Sequence, residues 1–317
     1  MTALRSILIT PARNEEALIE QAIESVVSQT VRPIRWVVVN DGSKDATARI
    51  VSRHAARHDW ISLVDMPEHR DRSFGAKVNC FNAGYATVRA LDHDIVGNLD
   101  ADVSFEPEYL EFLLGEFAED PRLGVAGTIF READGYSSGT DSFEGQNHVA
   151  GGCQLFRRQC FEEIGGYIPN KAGGIDWIAV TSARMRGWTT RSFREKSFFH
   201  HRSLGTAERS KLASSFSYGE KDYYLGNHPV WEVFRVAYRM AKRPYLVDGL
   251  ALGLGYASAG VRRIDRPITN DLMRFHRKEE MRKLKAILKS VLAFKQIDSF
   301  RVMAKEADPS GQPHRPS

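Results

Sequence analysis

Cysteine is scarce in this 317-residue chain: the three present, Cys80, Cys153 and Cys160, are odd in number and form no C-x-x-C pair. Such a set excludes a disulfide framework and a cysteine-based zinc site, and it fits a reducing compartment such as the cytosol. Each is expected to be a small buried side chain. Long apolar runs are missing as well. Residues 7–9 are cut short by Pro11 and the charges behind it, so they do not form the core of a secretory signal. The least polar stretch, residues 246–260, contains Asp248 and falls short of the roughly 20 residues that a spanning helix needs. Gly253-Leu254-Gly255 with Gly260 lacks a correctly placed third glycine and any βαβ context, which excludes a dinucleotide loop there. There is no internal repeat and no low-complexity tract.

Charge, by contrast, is present and unevenly spread. Residues 231–305 hold 17 Lys/Arg against 7 Asp/Glu, a local balance of +10 in a chain of net +4, so the remainder carries −6. An acidic body with a basic tail suggests that the tail meets an anionic surface. No nucleic-acid recognition motif accompanies the tail, so nucleic acid is not the expected partner.

Apolar periodicity organises the first hundred residues. Residues 6–10 read as a buried strand and 17–29 as a helix; 34–40 read as a second strand, 45–58 as a helix and 61–65 as a third strand. A helix over 79–90 and a fourth strand over 95–99 follow. Strand and helix alternating at this spacing predict right-handed βαβ units, with ligands at the carboxyl ends of the strands. Residues 124–199, with paired glycines at 151–152, 165–166 and 173–174, are expected to complete the same sheet irregularly. Beyond Trp231 the chain reads as helical. Asn270 is the expected N-cap of a helix over 271–291, and the Pro/Gly/Ser-rich end, 307–317, is expected to be disordered.

Acidic turns stand where the sheet would bind ligands. Asp100-Ala101-Asp102 ends the fourth strand and offers hard oxygen donors for a divalent ion already bridging two phosphates. Asp41, after the second strand, can accept from a nucleobase imino N–H or a ribose hydroxyl. Pro11, Ala12, Arg13, Asn14 and Glu15 supply backbone and polar groups at the same edge. Arg72 and Lys77 lie where cations could reach a diphosphate.

These three strand-end motifs, in this order, resemble the family 2 glycosyltransferases of the bacterial surface-polysaccharide type, from Ser6 to about Thr206. The resemblance implies a GT-A fold, a Rossmann-like, mixed and mostly parallel sheet flanked by helices. The catalytic domain would occupy residues 1–225, its nucleotide-binding half 1–103 and its acceptor half 104–225, with a basic helical extension at 226–306. It further implies Asp176 as general base of an inverting enzyme, although Ile175 replaces the family's usual first acid. Asp102, with His200 or His201, would hold Mn²⁺ or Mg²⁺, while Gly151, Gly152 and Trp177 would lie on the acceptor side. The donor would be a nucleotide-diphosphate sugar, a UDP-sugar by preference, and the acceptor a growing glycan or a polyprenyl-linked saccharide. A cytoplasmic enzyme, peripheral to the inner face of the plasma membrane, would follow. The aromatics Trp231, Phe234 and Tyr238 would then lie among headgroups, with residues 246–260 dipping in as a short apolar element. Packing on the catalytic domain or on a second subunit is the other expectation for this tail. Two other classes compete: a sugar-nucleotide-binding scaffold without activity, and a sugar nucleotidyltransferase. The second would carry a Gly-rich, Arg/Lys-containing loop after the first strand, which residues 11–14 do not provide.

Overall fold

The computed structural model describes residues 4–68, 74–133, 135–139, 145–170, 173–202, 211–242 and 245–293. Eight strands form one sheet: β1 (Ser6–Ala12), β2 (Arg35–Asn40), β3 (Ile61–Asp65), β4 (Ile95–Leu99), β5 (Val103–Phe105), β6 (Leu123–Glu132), β7 (Cys153–Arg157) and β8 (Thr189–His200). Their spatial order is β3-β2-β1-β4-β7-β6-β8-β5. β3, β2, β1 and β4 run parallel. β7 is antiparallel to β4 and β6, β6 and β8 are parallel, and β5 closes the edge antiparallel to β8. The arrangement is therefore the expected mixed α/β sheet, with its parallel half built from the first hundred residues.

Both faces of this sheet are covered, which is why its central strands read as continuous apolar runs rather than alternating ones. Successive side chains point to opposite faces. Leu8, Trp36, Val38 and Ile95 pack against α1 (Ile19–Val27), α2 (Thr47–Ala55) and α4 (Tyr109–Glu119). Ile7, Ile9, Val37, Val39 and Val96 pack against α3 (Phe74–Val88), α5 (Arg158–Glu163) and α6 (Ile175–Met185). A Cβ on Gly84 of α3 would sit 2.6 Å from Val39 Cγ2, so the helix lies closer to the sheet than any larger residue there would allow. α3 begins five residues ahead of its expected start at 79. Lys77 therefore stands on the first turn of a helix, not in a loop.

The rest of the chain is helical: α7 (Lys211–Tyr224), α8 (Pro229–Met240), α9 (Val247–Val261) and α10 (Asn270–Leu292). The cap of α10 is Thr269, whose hydroxyl accepts from Leu272 N, and not Asn270, which is the first helical residue. α7 and α9 cross with backbone against backbone. A Cβ on Gly219 would fall 2.0 Å from the Leu252 carbonyl oxygen, and one on Gly255 2.0 Å from that of Phe216. α10 is pinned to α6 by Arg184, whose Nε and Nη2 reach the two Glu279 oxygens at 2.9 and 3.0 Å. The aromatic face of α8 divides: Trp231 is buried and, with Phe234, packs on Leu284 and Ile287 of α10, whereas Tyr238 stays exposed. Two of the three aromatics expected among headgroups are thus engaged in an internal contact. No helix among the described residues is long and apolar enough to cross a membrane.

Between these helices lies a buried charge cluster. Asp222 of α7 meets Arg235 of α8 at 2.5 Å, and Glu232 lies 3.6 Å from the same guanidinium. Glu280 of α10 pairs with His276 at 3.1 Å, and Lys283 is buried beside Trp231. Burial, reinforced by Asp222 and Glu280 and opposed chiefly by Arg235, pushes the Glu232 carboxyl up to about 7 from its ordinary 4.5. The folded chain therefore holds this proton through a pH range in which the unfolded chain has lost it. Stability falls as pH rises through that range, and the full penalty applies above it. Glu232→Gln is expected to raise the unfolding free energy at pH 8, by up to about 3 kcal/mol. The gain should vanish near pH 4. Thermal melts at the two pH values check this, and equal gains at both would refute the assignment.

Candidate active site

The carboxyl ends of β1 and β2 are laced into one surface. The Asp41 amide donates to the Ala12 carbonyl at 2.8 Å. Asn14 sits at φ 55°, where its amide donates to Ser43 Oγ at 3.0 Å while its Oδ1 accepts from Lys44 N at 2.8 Å. The Glu15 amide donates to Thr47 Oγ1 at 2.8 Å. A left-handed asparagine is tolerated because its short polar side chain bonds locally. The Asp41 side chain is almost buried, with Arg13 Nη1 3.5 Å from its Oδ2. Beneath it, burial first, then a hydrogen bond to Asp41, pushes the Cys80 thiol well up, so Cys80 is a packed side chain and not a nucleophile.

Asp100 and Asp102 diverge at the end of β4. Asp100 accepts from Lys77 Nζ at 2.5 Å, and its amide donates to the Gly152 carbonyl at 2.9 Å. Burial works to lower the Lys77 ammonium, but Asp100, with Asp176 and Asp102 behind it, outweighs that and raises it. The cation is therefore secure at neutral pH. Asp102 turns toward β8, where His200 Nε2 lies 3.6 Å from its Oδ1 and Arg202 Nε 3.8 Å from its Oδ2. Burial and the neighbouring Asp100 raise the Asp102 carboxyl, and His200, Arg202 and Lys77 offset this only in part. Arg202 also donates to Glu15 Oε2 at 2.7 Å, tying the end of β8 to the loop after β1. Burial likewise raises the Glu15 carboxyl, against the pull of Arg202.

The two histidines part company, as strand alternation requires. His200 faces Asp102 with one nitrogen and has Glu132 Oε1 3.6 Å from the other, Nδ1. The ring of His201 goes to Ser104, with Nε2 2.8 Å from the hydroxyl, and burial lowers its basicity. Among the described residues no three His, Cys, Asp or Glu side chains form a ready metal cage. A cage of protein ligands is not what a nucleotide-bound Mg²⁺ or Mn²⁺ demands, since one or two carboxylates plus substrate phosphates suffice. The Asp102–His200 pair fits that requirement: a carboxylate oxygen and the imidazole Nε2 face each other at 3.6 Å, beyond a hydrogen bond.

Asp176 approaches from the other side. Gly174, at φ 74°, stops the incoming chain and starts α6, leaving Asp176 in the first turn, where the helix dipole favours a negative charge. A Cβ on Gly151 would lie 3.1 to 3.3 Å from the Cβ, carboxyl carbon and Oδ2 of Asp176, so the glycine is what lets the carboxylate stand against the backbone. Gly151 itself is fixed by Asn98 Nδ2, which donates to its carbonyl at 2.8 Å. Gln154 braces the same loop, donating to the Val149 carbonyl at 2.6 Å and accepting from the Tyr167 hydroxyl at 2.6 Å.

Lys77, Asp100, Gly151, Gly152, Asp176 and His200 open into one cavity of about 930 Å³, roofed by Ser214, Ser217 and Lys221 of α7. Trp177 does not. Expected on the acceptor side, it is buried among Ile178, Tyr224, Leu225 and Leu272, edge-on to His276 at 4.5 Å. One position along a helix turns a side chain by about 100°, so the neighbour of a cavity-facing Asp176 is driven into the core. Arg72 lies outside the described residues. The site also contains residues that the sequence reading did not assign: Asn98, Glu132, Arg202 and Lys221. Glu132 had a signal, a carboxylate closing an otherwise apolar run; Lys221 had none.

Comparison with known proteins agrees with this fold. Residues 7–141 match the family model described as glycosyl transferase family 2. Chondroitin synthase of Escherichia coli is 30% identical over 124 residues, 39% of this chain and 17% of that protein. Poly-beta-1,6-N-acetyl-D-glucosamine synthase of Staphylococcus aureus is 30% identical over 112 residues, 35% of this chain and 25% of that protein. The matches thus cover a quarter or less of these relatives' length. Among solved structures, the mannosyltransferase PcManGT of Pyrobaculum calidifontis, in complex with GDP-Man and Mn²⁺, superposes with a TM-score of 0.54 at 19% identity, covering 97% of this chain and 80% of that one. S. aureus TarS, residues 1–349, gives 0.53 at 14% identity, covering 98% and 93%. The fold is that of the GT-A glycosyltransferases, and residues 7–141 of the chain match the model of glycosyl transferase family 2.

Proposed function

We propose that the chain transfers a sugar from a nucleoside diphosphate, a UDP-sugar by preference, to a hydroxyl of a glycan or a polyprenyl-linked saccharide, with inversion at C1. The observation that carries this reading is that the Lys77–Asp100 pair and the Asp176 carboxylate open into one cavity from different elements. Arg13 and Asp41 would hold the base and ribose, and Lys77, kept charged, would face the diphosphate. Asp102 and His200 would hold a divalent ion, which when bound neutralises charge on the departing diphosphate. The acceptor oxygen attacks C1 as the bond from C1 to the phosphate oxygen breaks, its electron pair leaving on the nucleoside diphosphate. Asp176 receives the hydroxyl proton. A single displacement by this route inverts C1. The ligands of two structural neighbours, GDP-Man with Mn²⁺ in one and UDP-GlcNAc in a second form of TarS, support the donor class.

The reading is tested by mixing the full chain with UDP-GlcNAc, UDP-glucose and GDP-mannose, with and without Mn²⁺. Melting temperature and nucleoside diphosphate release are then followed. Metal-dependent stabilisation by one donor, followed by slow release of its diphosphate, is the expected result. Stabilisation with no release under any acceptor condition would favour a sugar-nucleotide-binding scaffold, and no stabilisation by any donor would end both readings.

A further inference from the structure

We propose that the outer face of α9 docks on an anionic lipid bilayer. Leu246, Leu250 and Leu254 recur every four residues and are 58%, 50% and 63% exposed, so they form one stripe along the helix. Val247 and Val261 extend it toward both ends. Asp248 is the helix's single charged residue, and it is turned inward, accepting from Ser215 of α7 and from Arg239 Nη1 of α8 at 3.3 Å. The exposed stripe is therefore free of charge over its whole length.

These leucines are not awaiting an internal partner. The inner sides of α9 are already taken, by α7 at Gly255 and by α8 at Gly249, where a Cβ would lie 2.6 Å from the Val236 carbonyl oxygen. Rotating α9 to hide the stripe would drive side chains into those backbones. The stripe stays outward and seeks an occupant from outside the fold.

Charge selects the occupant. Lys242 precedes the helix and Arg263 follows it, both exposed, while the exposed Arg262 already pairs with Glu220. An apolar stripe bracketed by cations suits a helix lying in the plane of a bilayer, leucines among acyl chains and cations among phosphates. Fifteen residues span about 22 Å, too short to cross, which agrees with the lie-flat geometry. A second copy of this chain would instead bring a region of the same +10 balance against these cations. The inference does not rest on sugar transfer, which concerns the opposite side of α7.

The test is flotation of the full chain with vesicles of phosphatidylcholine containing phosphatidylglycerol, and with phosphatidylcholine alone. The wild type is expected to float with the anionic vesicles and far less with the neutral ones. Leu250→Glu with Leu254→Glu should weaken flotation at least about tenfold, and Lys242→Glu with Arg263→Glu should do the same, both with wild-type melting because the residues are exposed. Flotation of the leucine variant at the wild-type level would overturn the proposal, as would a wild type that stays at the bottom. A dimer seen in sedimentation and abolished by the leucine changes, without flotation, would assign the face to a second copy and also overturn it.

Discussion

Asp176→Asn is expected to bind nucleotide sugar as tightly as the wild type and to turn over about 10² to 10⁴ times more slowly. The substitution removes a proton acceptor and little else. Asn has nearly the volume of Asp, so the close approach to Gly151, where a Cβ would lie 3.1 Å from the Asp176 Cβ, is preserved. The first turn of α6 loses one favourable charge–dipole contact, a cost of about 0.3–1 kcal/mol that stability measurements will register but that cannot account for the rate. Donor affinity should hold, because the proposed donor side is that of Lys77, Asp100 and the β1 and β2 loops. Titration calorimetry and steady-state rates together separate the two effects. Wild-type turnover by the variant would remove Asp176 from the mechanism, whereas weakened donor binding would place it on the donor side.

Asp102→Asn should produce the second large effect and split it by metal. In metal-free buffer the variant is expected to be more stable than the wild type. Burial and Asp100 raise the Asp102 carboxyl above its ordinary value, so at neutral pH the folded chain holds an unfavourable charge that Asn does not carry. The sign is that of a raised acid: wild-type stability falls as pH climbs past the ordinary carboxyl range, and the variant escapes that fall. With Mn²⁺ and nucleotide the order should reverse, since the wild type gains the binding free energy and the variant does not. Melting curves under the four conditions check it without an activity assay. A variant that Mn²⁺ and nucleotide stabilise as much as the wild type would transfer the metal role away from Asp102.

The first hundred residues were legible because two physical codes coincide there. Buried parallel strands need apolar runs, and each run ends in a polar turn where the sheet presents its ligands. Asp41, Asp100 and Asp102 stand out for that reason. The apolar period marks α3 only from residue 79 because Gly75 and Ala76 dilute it, although Gly84 fixes how closely the helix lies on the sheet. Beyond residue 124 the code weakens. β6 and β8 slip register twice, between Leu123 and Val125 and between Thr128 and Ile129, so simple alternation fails. α7 was not foreseen at all. Ser214 and Ser217 face the cavity and Gly219 faces α9, so neither side of the helix shows the apolar stripe that periodicity detects. Trp177 misled for a different reason: adjacency to Asp176 in sequence is divergence on a helix. His200 and His201 pose the same problem on a strand, and only the pairing of β5 with β8 decides between them.

The bare contact between α7 and α9 has a mechanical consequence. Where two helices normally meet through interlocked side chains, rotamer changes absorb small displacements; here carbonyl oxygens face glycine Cα atoms and nothing between them can yield. The outer helix therefore rests directly on the backbone of α7, the same helix whose Ser214, Ser217 and Lys221 line the cavity.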